Sequence, residues 1–159
     1  MILYHGSNTE FDVIDLNKSK PNKDFGKGFY VSADLQQANE MAKIKVEQMK
    51  TGIPTILSYQ IDDNILIDNT LNVKRFTYYS SEWAEFIVAN RNNDNDIPVH
   101  NYDVVIGPIA NDKVGVQLWK YENNIIDIKT LIHNLKYMKG ITIQYFFGTQ
   151  KAINHLKKL

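Results

Sequence analysis

Three short stretches of the chain set side chains with binding chemistry beside glycines or at strand ends: Tyr4-His5-Gly6-Ser7, Asp24-Phe25-Gly26-Lys27-Gly28-Phe29-Tyr30-Val31-Ser32, and Gln144-Tyr145. In the second, Gly26 and Gly28 let the backbone turn tightly or approach a ligand, and Phe29-Tyr30-Val31 is aromatic and β-branched, as a strand should be. Alternation along that strand sends Phe29 and Val31 to the core and leaves Tyr30 for a cleft. His5 stands at the end of a strand that Gly6 stops. Gln144 is the long polar group on one face of the last strand, with Thr142 and Phe146. The other face, Ile141, Ile143, Tyr145 and Phe147, is expected to be the core. Taken singly, each residue has a plainer role, as a satisfied strand-end histidine, a core tyrosine and an ordinary strand amide.

Other chemistries are disfavoured by what is missing. Gly26-Lys27-Gly28 is not a phosphate-binding P-loop, which needs Gly-Lys followed by Ser or Thr and opens directly into a helix. His5, His100, His133 and His155 have no metal-ligand spacing among them, and there is no G-x-S-x-G elbow. The chain has no cysteine, so disulfides, thiolate catalysis and cysteine-ligated zinc are out. Acidic and basic residues balance at 18 each, which removes the bulk attraction that non-specific nucleic-acid binding relies on. At 159 residues and 43% hydrophobic composition the chain is expected to form a single domain, 1–159, with a real core. No segment approaches the ~20 apolar residues of a membrane span, and Met1 to His5 lacks a basic leader, so a soluble, cytoplasmic protein is expected.

The elements that must position these residues follow from periodicity. Ile2 to His5 reads as a strand, and Asn17 to Asp24 as a polar loop. From Asp34 to Met49 apolar residues recur at helical steps, with Ser32 as cap and Asp34 in the first turn, and with the Met41/Met49 stripe expected in the core. Thr55 to Ile61 and Ile65 to Ile67 read as a hairpin around Asp62-Asp63-Asn64. Ser81 caps a helix carrying Trp83, Phe86 and Ile87. Tyr102 to Ile106 is a strand ended by Gly107-Pro108, Asn111-Asp112 a turn, and Val114 to Tyr121 a further strand with Trp119 in the core. Ile125 to Leu135 is an amphipathic helix closed by Gly140. After the last strand, Thr149 caps a terminal helix running to Leu159, whose Lys151, Lys157 and Lys158 form a solvated face. Helices and strands mix without regular βαβ alternation, which points to an α+β fold with antiparallel sheets.

Leu3-Tyr4-His5-Gly6-Ser7-Asn8-Thr9 and Phe25-Gly26-Lys27-Gly28-Phe29-Tyr30-Val31-Ser32-Ala33-Asp34, continuing to Gln37-Ala38-Asn39, resemble the first two NAD-binding motifs of the diphtheria-toxin-like and poly(ADP-ribose)-polymerase-like ADP-ribosyltransferases. Gln144-Tyr145-Phe146-Phe147 falls where that family has its third motif, a glutamate followed by tyrosine. The motifs stand in the family's order over nearly the whole chain. Tyr102 to Pro108 and Asn111-Asp112 are similar to an uncharacterised bacterial branch of the superfamily. The resemblance implies a pair of antiparallel sheets with flanking helices and NAD as substrate. It implies that His5 bonds the NAD ribose with Ser7 beside it, that Gly6 serves the carboxamide, and that Gly28 and Tyr30 belong to the NAD-binding set, with Tyr30 as the ring platform. With one residue deleted, Gln37 lies near the family's carboxamide-binding serine.

A nicotinamide ring in NAD is flat and cationic, which suits a tyrosine face. The departures are as telling. The family's second stacking tyrosine falls at Glu40 or Met41, its glutamate is Gln144, and the acid that arginine-modifying relatives carry two residues earlier is Thr142. The expected activity is therefore mono-ADP-ribosyl transfer with His5, Tyr30 and Gln144 as the catalytic set, no metal, and an unidentified protein, nucleic-acid or small-molecule acceptor. Arginine transfer and polymer building are disfavoured. The alternative is a non-catalytic module that binds NAD or ADP-ribose.

Overall fold

The computed structural model describes residues 1–110, 114–136 and 141–159. Its strands are β1 (Ile2–Ser7), β2 (Phe29–Ser32), β3 (Thr55–Gln60), β4 (Val73–Arg75), β5 (Val104–Pro108), β6 (Ile143–Phe147) and β7 (Lys157–Lys158). Its α-helices are α1 (Leu35–Met49), α2 (Ser81–Arg91), α3 (Val114–Glu122), α4 (Ile128–Leu135) and α5 (Gln150–Ile153). All seven strands join one sheet in the order β4-β5-β6-β2-β1-β3-β7. Neighbours are antiparallel except β4 and β5, which run parallel. The mixed composition agrees with an α+β reading, but the expected pair of antiparallel sheets is a single mixed sheet. Among the described residues, no helix is long and apolar enough to cross a membrane.

Both faces of the sheet are buried. Leu3, Phe29, Val31, Leu57, Tyr59, Val104, Ile106 and Phe147 form one core with Ala152 and Ile153 of α5. Phe25, Phe76, Val105 and Phe146 form the other with Trp83 and Ile87 of α2, Leu118 of α3, and Leu131 and Leu135 of α4. Phe146 is thus as deeply buried as Phe147, although a half-solvated strand would have left one of them wet. The central strands read as two-sided because helices cover the face that carries Tyr30, Gln144 and Phe146.

The first helix sits on β1 through a glycine. A Cβ on Gly6 would lie 2.1 Å from the Ala38 carbonyl oxygen and 2.6 Å from the Ala42 nitrogen, so only glycine lets α1 come this close. The helix accordingly buries Ala38 and Ala42, while Met41 and Met49 are exposed rather than core. Its N-cap is Asp34, whose carboxylate accepts from the Gln36 and Gln37 amides; the expected cap Ser32 instead accepts from the Asp34 amide. One residue of shift likewise moves the cap of α2 from Ser81 to Ser80.

Three expected elements differ. Ile65 to Ile67 does not pair with β3; Asp63–Leu66 is a 3-10 turn in which Asp62 accepts from the Asn64 amide, local bonding that outcompetes a hairpin. Val114 to Tyr121 is helical, with Leu118 buried and Val116 and Trp119 exposed, so Trp119 is not core. The terminal helix stops at Ile153, and the chain returns as β7 along β3, where Lys158 donates to Asp12, Glu10 and the Phe11 carbonyl instead of facing solvent on a helix. The expected turn at Asn111-Asp112 and the closing Gly140 lie outside the described residues.

Candidate functional site

The sheet is continuous except at one seam. β1 pairs with β3 over six residues, from Ile2↔Gln60 to Ser7↔Thr55, and β2 pairs with β6 over four. Between β1 and β2 the ladder is a single pair, Tyr4↔Ser32. Beyond it, residues 5–7 and 29–31 face each other without pairing, and a cavity of about 660 Å³ opens there. His5, Gly6, Gly28, Tyr30, Gln37 and Gln144 all line it, with Lys23, Asp24 and Arg91. Ser7 does not; it is buried, and its hydroxyl accepts from the Thr9 amide.

His5 spans the seam. Its Nδ1 lies 2.7 Å from the Tyr30 carbonyl oxygen, and because a carbonyl only accepts, Nδ1 carries the hydrogen. Burial pushes the imidazole down to about 4, and the charges of Lys45 and Lys23 push the same way against the hydrogen bond to Tyr30. At neutral pH the ring is therefore uncharged, and Nε2 is a lone-pair acceptor. The ring stacks on Phe29 at 4.5 Å and meets Phe11 edge-on at 5.7 Å. His5 and Phe29 thus belong to one face of the sheet, whereas Tyr30 and Gln144 belong to the other, where the Tyr30↔Phe146 and Ser32↔Gln144 pairs place them. The missing ladder is what lets one cavity reach both.

Tyr30 is held at both ends. Its hydroxyl donates to the Gly26 carbonyl at 2.7 Å and accepts from the Phe25 amide at 3.1 Å, closing the loop that Gly26 turns at φ +92°. Burial, then the nearby Asp24 charge, raises the phenol well above its ordinary range, so it stays a donor. Phe146 meets the ring edge-on at 5.3 Å, and the Lys23 ammonium stands over it at 5.1 Å from the centroid. That lysine is pushed down to about 8, chiefly by burial and further by Lys45, Lys20 and Arg91.

Gln144 meets a buried acid. Its Nε2 donates to Asp24 Oδ2 at 3.1 Å, and the same oxygen accepts from the Ala110 amide at 3.3 Å. Asp24 Oδ1 takes Arg91 Nε at 2.8 Å and a terminal guanidinium nitrogen at 2.6 Å. A carboxylate cannot donate, so the Gln144 amide has its nitrogen toward Asp24 and Oε1 as its remaining acceptor. In the first turn of α1, Gln37 Oε1 accepts from the Ser32 hydroxyl at 2.7 Å.

The glycines have packing reasons of their own. A Cβ on Gly28 would meet the Phe146 ring at 2.2 Å, as one on Gly6 would meet α1. Asp24, Arg91 and Lys23 carried no role in the sequence reading. Asp24 lies 67 positions from Arg91 and 120 from Gln144, and no local pattern marks so distant a set.

The model of the family described as "Protein of unknown function (DUF3990)" matches residues 1–158, and the chain belongs to that family. No curated protein and no solved structure matches it.

Proposed function

We propose that this member of the DUF3990 family is an NAD-dependent mono-ADP-ribosyltransferase. The observation that carries the reading is the seam cavity, where His5, Tyr30 and Gln144, from three strands remote in sequence, line one space beside a break in the sheet. In this reading the two halves of the sheet, joined at Tyr4 and Ser32, correspond to the paired sheets of the ADP-ribosyltransferase fold.

The chemistry suits the groups. The Tyr30 ring stacks the cationic nicotinamide once Lys23 yields. Neutral His5 Nε2 and Gln144 Oε1 accept from ribose hydroxyls and hold the sugar for cleavage. The bond from ribose C1′ to the nicotinamide nitrogen breaks, and its electron pair leaves with the ring, which becomes neutral. The sugar passes through an oxocarbenium-like state. A lone pair of the acceptor then bonds to C1′ as the acceptor loses its proton to solvent. The acceptor is a protein, a nucleic acid or a small molecule.

The uncharged Gln144 favours a second reading, an NAD or ADP-ribose binding module without turnover. Incubation with NAD and cell lysate separates the two. Nicotinamide release with ADP-ribose appearing on a lysate component is expected for the transferase. Thermal stabilisation by NAD or ADP-ribose without release supports the module, and neither effect overturns both.

A further inference from the structure

We propose that Asp24, clamped by Arg91, is the positioning residue that fixes the Gln144 amide with Oε1 as an acceptor that no described residue takes up, and that this makes glutamine rather than glutamate the working residue at 144. The inference rests on the transferase reading for its catalytic consequence, but the pairing itself does not depend on it.

The geometry leaves little freedom. Asp24 has only 8% of its side chain exposed, and each of its oxygens is committed. Oδ1 takes two nitrogens of Arg91, and Oδ2 takes the Ala110 amide and Gln144 Nε2. A guanidinium gripping one oxygen and a backbone amide on the other hold the carboxylate against rotation. Gln144 sits on β6, paired to Ser32 on one side and Gly107 on the other, so its backbone cannot drift either. With Nε2 taken, turning the amide over would set Oε1 against a carboxylate oxygen at 3.1 Å, two acceptors with no hydrogen between them.

The same distance makes glutamate a poor substitute. A carboxylate at 144 would face Asp24 across the gap that Nε2 now bridges, and two carboxylates that close share a proton, with one titrating far above its ordinary range. Adding the charge that an oxocarbenium state would favour thus costs the arrangement that presents the acceptor. The charge and the amide can be exchanged as a pair: an asparagine at 24 can donate to a glutamate at 144 and restore the bridging hydrogen, although the Ala110 amide then faces Nδ2 and loses its acceptor.

The test is a four-member cycle of wild type, Asp24→Asn, Gln144→Glu and the double variant. Without ligand, urea midpoints are measured from pH 5 to pH 8. Gln144→Glu raises a folded-state carboxyl above its unfolded value, so its stability relative to wild type is expected to fall as pH rises through that raised value. The double variant is expected to recover the wild-type pH dependence, at a lower midpoint throughout because the Ala110 amide has lost its acceptor. A Gln144→Glu profile parallel to wild type overturns the pairing, whatever the activity. Should Gln144→Glu fail to fold at any pH, folding of the double variant supports the pairing, and its failure too overturns it. With NAD, nicotinamide release at pH 7 is expected to fall at least tenfold in each single variant and to return within about threefold of wild type in the double. Equal loss in the double overturns the positioning role. Coupling in the ligand-free arm with no release from wild type leaves the pair standing and removes the transferase reading alone.

Discussion

The Lys23 ammonium stands 5.1 Å from the centre of the Tyr30 ring, an internal cation over the surface proposed to stack an external one. Removing it should free the ring. Lys23→Gln is expected to bind 1-methylnicotinamide, a flat cation without phosphate, about two- to fivefold more tightly by calorimetry. Because Lys23 is pushed down to about 8, raising the pH from 7 to 9 discharges it and should give the wild type the same gain. The variant should show no such rise, and equal pH dependence in the two proteins would remove Lys23 from the ring site.

Tyr30 separates into two functions. Tyr30→Phe keeps the ring but deprives the Phe25 amide and the Gly26 carbonyl of their partner, and should lower stability by about 1–3 kcal/mol in urea denaturation with NAD affinity little changed. Tyr30→Ala also removes the platform, and should weaken NAD binding by about tenfold or more. Affinity unchanged in the alanine variant would count against the stacking role.

His5 gives the fold a pH dependence with a definite sign. Its ring titrates at about 4 in the folded protein against an ordinary 6.5, so in that window the unfolded chain binds the extra proton. Stability should be unaffected by this group above pH 6.5 and decline as pH falls toward 4, by on the order of 3 kcal/mol in all. His5→Asn should flatten that part of the profile. A decline of the same size in the variant would assign it to other groups.

Gly6→Ala drives a methyl group into the backbone of α1, with its carbon 2.1 Å from the Ala38 oxygen. Helix and strand must separate, and the expected cost is about 2–4 kcal/mol in urea denaturation. A neutral substitution would mean that α1 is free to lift from β1.

Much of this was legible where a residue's neighbours in sequence are also its neighbours in space. The strand at Phe29 to Ser32, the burial of Phe29 and Val31, and the capping of α5 by Thr149 follow from alternation and local hydrogen bonding. His5, Tyr30 and Gln144 were found through motif order, and they line one cavity. What stayed hidden depended on partners far along the chain. Whether Val114 to Tyr121 coils or extends is decided by where Leu118 packs, and Met41 is left out of the core because Gly6 draws α1 in by its alanines. Asp24 ends a polar loop in the sequence, and only the distant Arg91 and Gln144 give it a role.

The seam between β1 and β2 also bears on solubility. Unpaired strand edges ordinarily recruit other chains, and proteins blunt them with charge, proline or a covering element. Here the two bare edges face inward on each other, stitched at Tyr4 and Ser32, with the His5 imidazole laid across as a side-chain rung to the Tyr30 carbonyl. A strand from another molecule would have to displace that rung and thread between two halves of one sheet. Under the proposed reading the nicotinamide carboxamide needs no such room: it is a lone peptide unit, one donor and one acceptor on a flat frame, sized for a gap too short for a chain.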